Sequence, residues 1–230
     1  MATLRQVFHD IAEAIRSKGI SGKFKPIDMA SKIGEIRSLD GYGYLTFTAE
    51  EATTLTLLKN PTSSTTYYKL LKSTDGVNWT KWENHDTNGI VLKAGESVYL
   101  KAYEETDGST AGSALYYKHF SSTGKIKCDG DIRSIVRMTV PYDYRYWFER
   151  LFYKCTTLTK GPELPATSTT PYCYYYMFNG CTSLKTAPEL PATSTSTNCY
   201  QQMFKDCTSL TTAPELPATD VDSNCYSAMF

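Results

Sequence analysis

Residues 177–202 read MFNGCTSLKTAPELPATSTSTNCYQQ, and residues 203–228 read MFKDCTSLTTAPELPATDVDSNCYSA. The two segments are identical at 17 of 26 positions, and Met229-Phe230 opens a further cycle. Residues 151–176 form a more diverged earlier copy that begins Leu151-Phe152. A fixed period of this length marks an architecture whose units cannot bury their apolar faces alone and do so only against neighbouring copies.

Within one copy, Cys199, Tyr200, Met203 and Phe204 fall at i, i+1, i+4 and i+5, which predicts one apolar face of a short helix. Thr197 or Asn198 stands where an N-cap belongs, Pro171 precedes Cys173 in an acceptable first-turn position, and Gly180 or Asp206 supplies the stop. The Cys207–Leu210 segment reads as a brief strand. Pro188 and Pro191, repeated as Pro214 and Pro217, each remove a backbone donor, so an extended loop follows, with Leu190 and Leu216 pointing into the core. The expected unit is helix, short strand and proline-bent return.

The run Met-Phe-x-x-Cys-Thr-Ser-Leu-x-Thr-Ala-Pro-Glu-Leu-Pro-Ala-Thr, followed by Asn-Cys-Tyr-x-x-Met-Phe, resembles the BspA-type leucine-rich repeats of gut-bacterial surface proteins and of proteins of their phages. The resemblance covers residues 151–230 and implies a leucine-rich-repeat solenoid. Gly130 to Val136 and the aromatic run Tyr142 to Phe148 resemble the segment that precedes the first repeat in that family, which assigns residues 128–150 to an N-terminal cap. Because the copy that opens at Met229 has no polar-faced cap, the natural protein is expected to continue beyond residue 230, or a partner to cover that edge.

Upstream, Leu4, Val7, Phe8, Ile11 and Ile15 recur at helical spacing up to Gly19, and a second helix opening at Pro26 carries Ile33 and Ile36. Asp10-Ile11-Ala12, Ala14-Ile15-Arg16, Lys25-Pro26, Asp28-Met29-Ala30 and Lys32-Ile33 resemble an N-terminal module that recurs in tailed-phage structural proteins. That likeness makes residues 1–40 a helical anchor and oligomerisation module, with Leu4, Val7, Phe8, Ile11, Ile15, Ile33 and Ile36 as candidates for docking on the virion. Over residues 41–127 the pattern turns to period two, with strands at Tyr44–Ala49, Thr54–Leu58, Tyr67–Lys72, Trp79–Trp82 and Ser97–Tyr103, and Asp75-Gly76 as a hairpin turn. These short strands predict a β-sandwich-like domain, and Tyr67-Tyr68-Lys69-Leu70 with Asp75 to Trp79 resembles a hairpin found before BspA-type repeats. The expected fold class is therefore multi-domain α+β: a helical hairpin, a small β-sandwich-like domain and a solenoid of 26-residue repeats.

Composition narrows the function. Lys plus Arg and Asp plus Glu both number 24, so the net charge is zero and no basic stripe invites nucleic acid. The N-terminus has no secretory apolar region, and no apolar run approaches the ~18 residues of a membrane span. Export by an N-terminal signal and membrane insertion are not expected.

Seven cysteines are present, six of them in two repeated columns: Cys155, Cys181 and Cys207, then Cys173, Cys199 and Cys225. No Cys-x-x-Cys occurs, and His9, His85 and His119 lie outside the repeats, so neither a metal nor another cofactor is expected. Zinc and disulfides rank below stacked core thiols. Glu163, Glu189 and Glu215 share one repeated position, unlike the two distinct carboxylates of a glycosidase. Ser73 to Trp79 resembles the Asp-box of sialidases with one residue missing, but it is solitary and reads as a hairpin tip. No catalytic site is expected, and the chain reads as a non-enzymatic binding protein.

Where the copies differ, packing does not dictate the side chain. Tyr175-Tyr176 becomes Gln201-Gln202 and then Ser227-Ala228, which makes Tyr175, Tyr176, Gln201 and Gln202 the candidate ligand contacts. The expected protein is an oligomeric head or tail fibre of a phage virion, held to other virion proteins by its N-terminus and touching host-surface glycan or protein. A bacterial BspA-like surface adhesin is the alternative.

Overall fold

The computed structural model describes residues 43–59, 70–83, 87–102, 118–136 and 146–230. The helical hairpin expected over residues 1–40, with its seven docking candidates, lies outside them.

Alternation of apolar and polar residues builds the sheets. In β1 (Leu45–Ala49), Leu45, Phe47 and Ala49 are buried, and Thr46 and Thr48 face the other way. β2 (Thr53–Lys59) buries Leu55 and Leu57, and β6 (Ser97–Ala102) buries Val98 and Leu100. With β3 (Leu70–Ser73), β4 (Thr80–Trp82), β5 (Ile90–Leu92), β7 (Lys118–Ser122) and β8 (Ile126–Asp129), they form two sheets. One has three strands in the order β5-β2-β7. The other has six, β4-β3-β6-β1-β8-β9, where β9 (Leu158–Lys160) comes from the first repeat and runs parallel to β8. The other pairings in this mixed sheet are antiparallel. Phe47 of the larger sheet and Phe120 of the smaller one meet with ring centroids 4.7 Å apart, and Phe152 of the first repeat lies 5.6 Å from Phe120. Sheets and repeats thus share one apolar core.

The junction is tight at Gly130, whose φ of +88° is left-handed and where an added Cβ would stand 2.1 Å from the Tyr44 carbonyl oxygen. The Gly130 carbonyl then accepts from the Glu163 N–H, and Ile132 N–H donates to the Glu163 carbonyl. Asp131 caps the short 3-10 helix Ile132–Ile135 and accepts a two-pronged ion pair from Arg133.

From Tyr146 onward the copies stack as layers. The N–H groups of Phe148, Arg150, Phe152 and Lys154 reach the carbonyls of Cys173, Tyr175, Met177 and Asn179, each 25 residues ahead in the next layer. Residues between them donate to the carbonyl three residues back, as Leu151 does to Phe148 and Tyr153 to Arg150. The same alternation recurs over Tyr172–Cys181 and Asn198–Cys207. Every fourth residue is left-handed: Tyr146, Arg150 and Lys154, then Tyr172, Tyr176 and Gly180, then Asn198, Gln202 and Asp206, then Asn224 and Ala228. In the second and third layers the two residues after the first and second left-handed positions point inward: Cys173-Tyr174, Met177-Phe178, Cys199-Tyr200 and Met203-Phe204.

Identical residues therefore sit above one another. Phe152, Phe178, Phe204 and Phe230 stack at 5.3, 5.6 and 5.8 Å, and Phe148, Tyr174, Tyr200 and Tyr226 at 5.8, 5.6 and 5.7 Å. Such ring pairs contribute about 0.5–1.5 kcal/mol each beyond their burial.

These findings correct the expected fold class. Among the described residues the chain is nearly all β and turn, with mixed sheets and no helix of seven or more residues, in place of α+β with a helix in each coil of a leucine-rich-repeat solenoid. The physical reason is the period. Apolar pairs recurring every four residues keep one face without drift when the backbone turns once per four residues, which the left-handed residues achieve. An α-helix at 3.6 residues per turn would drift, and two isolated turns are marginal in any case. The expected strand at Cys207–Leu210 is likewise a tight turn, closed by the Leu210 N–H on the Cys207 carbonyl, as Leu184 closes on Cys181. The proline segments carry no continuous ladder: the isolated Asp131–Glu163, Lys160–Thr186 and Ser168–Ser194 bridges and the two-residue pair of β10 (Ser194–Thr195) with β11 (Asp220–Val221) are the parallel pairings of that return. Leu190 is buried there, but Leu216 is exposed.

Candidate functional site

The left-handed residue and, apart from the buried Glu149 and Asn179, the one before it take the outward half of each turn, and these positions vary between copies. In the first two layers they collect aromatic rings and one guanidinium. Tyr175 and Tyr176 meet with centroids 4.3 Å apart, Tyr172 lies 5.6 Å from Tyr175, and Tyr146 stacks on Tyr172 at 4.7 Å. Tyr153 joins from the other side, 6.4 Å from Tyr176. Arg150, one layer before Tyr176 in the same column, sets its guanidinium carbon 5.1 Å from the Tyr176 ring and 5.6 Å from that of Tyr175. The five rings form a continuous half-buried surface, with Arg150 within it and Lys154 at its edge over Tyr153.

Glu149 holds the arginine. Its carboxylate lies mostly under the surface and accepts from Arg150 Nη1 at 2.6 Å. Burial pushes the Glu149 pKa up, and the adjacent guanidinium only partly opposes that. Burial, and then hydrogen bonding to Tyr176, raise the Tyr175 phenol to about 12.

The four sequence-predicted contacts fall together. Tyr176 N–H donates to the Gln201 carbonyl and the Asn179 side-chain amide to the Gln202 carbonyl at 3.5 Å, so Gln201 and Gln202 continue the tyrosine surface into the third layer. Tyr146, Glu149, Arg150, Tyr153 and Tyr172 were not among them. The signal for Arg150 lies in the repeat columns: Arg150, Tyr176, Gln202 and Ala228 occupy one position, and Glu149, Tyr175, Gln201 and Ser227 another. Flat aromatic faces, a guanidinium and primary amides suit the C–H faces and hydroxyls of sugars or a protein loop.

The Asp75 segment has a different task. Asp75 accepts from the Val77 and Asn78 N–H groups at 2.9 and 2.7 Å, from Asn78 Nδ2 at 2.7 Å and from Ser73 Oγ at 2.8 Å. The N–H and amide of Asn78 lead in holding its carboxyl well below the usual carboxylate range. All this capacity shapes the turn, which delivers Trp79 against Tyr44 at 4.8 Å, with Lys101 Nζ 4.2 Å above the Trp79 ring.

The thiols divide by column. Cys181 Sγ donates to the Phe152 carbonyl at 3.0 Å and Cys207 Sγ to the Phe178 carbonyl at 3.1 Å, whereas Cys199 and Cys225 face each other. Burial raises the Cys128, Cys155 and Cys181 thiols, so they stay protonated. All seven cysteines are buried and unbridged.

Glu163, Glu189 and Glu215 are all exposed. Among the described residues, no group of three or more His, Cys, Asp and Glu side chains could hold a metal ion, and no helix is long and apolar enough to cross a membrane. Compared with known proteins, the chain matches no family model, no curated protein and no solved structure.

Proposed function

We propose that this chain is a non-enzymatic binding and display protein, a head or tail fibre of a phage virion whose stacked repeats present a contact surface to host glycan or protein. The observation that carries the binding reading is the outward cluster of Tyr146, Tyr153, Tyr172, Tyr175 and Tyr176 around Arg150. Five neighbouring rings on one exposed face exceed what packing between layers requires, because the third layer keeps the same backbone with Asn198, Gln201 and Gln202 in the corresponding places. Rigid aromatic side chains also lose little conformational freedom on binding, which suits them to recognition.

The virion assignment rests on the likeness of residues 1–40 to a phage structural module. In that reading the N-terminus joins other virion proteins and brings several copies together, so that weak contacts add through avidity.

Mass spectrometry of purified particles tests the assignment: the protein is expected in virions at fixed stoichiometry, and deletion of residues 1–40 should abolish incorporation. Adsorption of particles carrying Tyr175→Ala and Tyr176→Ala together should fall at least tenfold with incorporation unchanged. Absence from particles, with the protein found on bacterial envelopes instead, would replace this reading with that of a surface adhesin.

A further inference from the structure

The two cysteine columns share a backbone but not a chemistry. In one, Cys181 and Cys207 are committed to main-chain carbonyls of the preceding layer. In the other, Cys199 Sγ and Cys225 Sγ lie 3.0 Å apart, thiol against thiol in adjacent layers. Each follows a left-handed asparagine, Asn198 at φ 57° and Asn224 at φ 55°, so both side chains leave equivalent backbones in the same direction. The layers are fixed there by the Tyr200 N–H on the Cys225 carbonyl at 3.1 Å. Backbones paired in this way run about 4.8 Å apart, inside the Cα separation that a disulfide spans. The sulfurs need to close by only about 1 Å to reach the ~2.05 Å bond.

We propose that Cys199 and Cys225 form a thiol–disulfide couple, a modification site that closes into a crosslink between adjacent layers on reaction with a small-molecule aliphatic disulfide of the glutathione type. The Cys225 thiolate attacks one sulfur of the oxidant, breaking its S–S bond and releasing one thiolate. Cys199 then loses its proton to solvent and attacks the mixed disulfide at Cys225, releasing the second. Two protein thiols are oxidised, and one small disulfide is reduced to two thiols. The two sulfurs share one hydrogen-bonded contact at 3.0 Å, which lowers the Cys225 thiol to about 7 and raises that of Cys199, so Cys225 is the attacking thiol. On the flank of Cys225, Asp222, Ser223 and Asn224 are exposed, which gives the oxidant an approach through local opening.

The test incubates the full chain, natively folded, with oxidised glutathione, blocks the remaining thiols after denaturation, and maps tryptic peptides by mass spectrometry. Cys199 is the lone cysteine of residues 186–205, while residues 206–230 hold Cys207 and Cys225, so fragment ions assign the partner. The expected product joins Cys199 to Cys225, loses two hydrogens in mass, leaves Cys128, Cys155, Cys173, Cys181 and Cys207 alkylatable, and melts roughly 5–10 °C higher than the reduced chain. Cys225→Ser should abolish the crosslink and Cys155→Ser should retain it. Seven alkylatable thiols after oxidation, a mixed disulfide that never closes, or a bridge through Cys173 or Cys207 would overturn the proposal without recourse to any variant.

Discussion

The sheets between residues 44 and 129 and the layers between residues 146 and 230 face the same requirement, pairing buried N–H and C=O groups, and meet it with different periods. In β1 and β6 side chains alternate singly, and every ladder bond goes to a neighbouring strand. In the layers side chains alternate in pairs, and the backbone divides its donors, one to the next layer and one back along its own turn. The first arrangement tolerates many sequences. The second needs a left-handed residue at every fourth position and inward pairs between them, so its conformation recurs with a fixed period while the outward side chains vary.

Phe152 joins the two regions, contacting Phe120 and Phe47 on one side and Phe178 on the other. Phe152→Ala should therefore produce the largest loss, about 3–5 kcal/mol, in a single denaturant transition reported alike by Trp82 in the sheets and Trp147 beside the layers. Two separated transitions would show that the regions do not share a cooperative core.

Gly130→Ala strikes the same joint through the backbone. A Cβ forced against the Tyr44 carbonyl at a left-handed φ should cost about 2–3 kcal/mol, measured by urea unfolding. A neutral substitution would mean that the junction adjusts freely.

Smaller effects distinguish the carboxylates of the two regions. Glu149 in the layers has a raised folded pKa, so its contribution is fully present below its ordinary 4.5 and is lost as pH rises through the folded value. Glu149→Gln should remove that decline and flatten stability above pH 4.5; profiles parallel to that of the parent chain would contradict the burial argument. Asp75 has a lowered pKa, so its contribution holds above its ordinary 3.8 and fades as pH falls through the folded value. Because Asp75 is exposed, Asp75→Asn should show the smallest change, a slight loss of melting temperature at pH 7 that vanishes in acid.

Much of the β region was legible because period two is unambiguous: the strand positions around Phe47, Leu55 and Leu100 follow directly from alternation, whereas the strand at Leu70 buries its two ends and does not alternate. The repeat length and the inward residues Cys199, Tyr200, Met203 and Phe204 were legible too. Their conformation was not, since i, i+1, i+4 and i+5 fit both a short helix and a four-residue turn. Gly180, Asn198, Asp206 and Asn224, eight residues apart within a copy or one repeat apart between copies, are the turn chemistry that separates the two, and their spacing outweighs the apolar pattern. Tyr175, Tyr176, Gln201 and Gln202 emerged from variation between copies. Arg150 escaped because the first copy is the most diverged, so its column becomes visible only once the layers are aligned.

The direct test of the turn assignment is at Gln202, a half-exposed position in the middle of the expected helix, where φ is 53°. The unfolding free energies of Gln202→Gly and Gln202→Ala are compared in the full chain. A left-handed turn makes the glycine variant the more stable by about 1 kcal/mol; an α-helix reverses the order by a similar amount, and that reversal would contradict the layered structure.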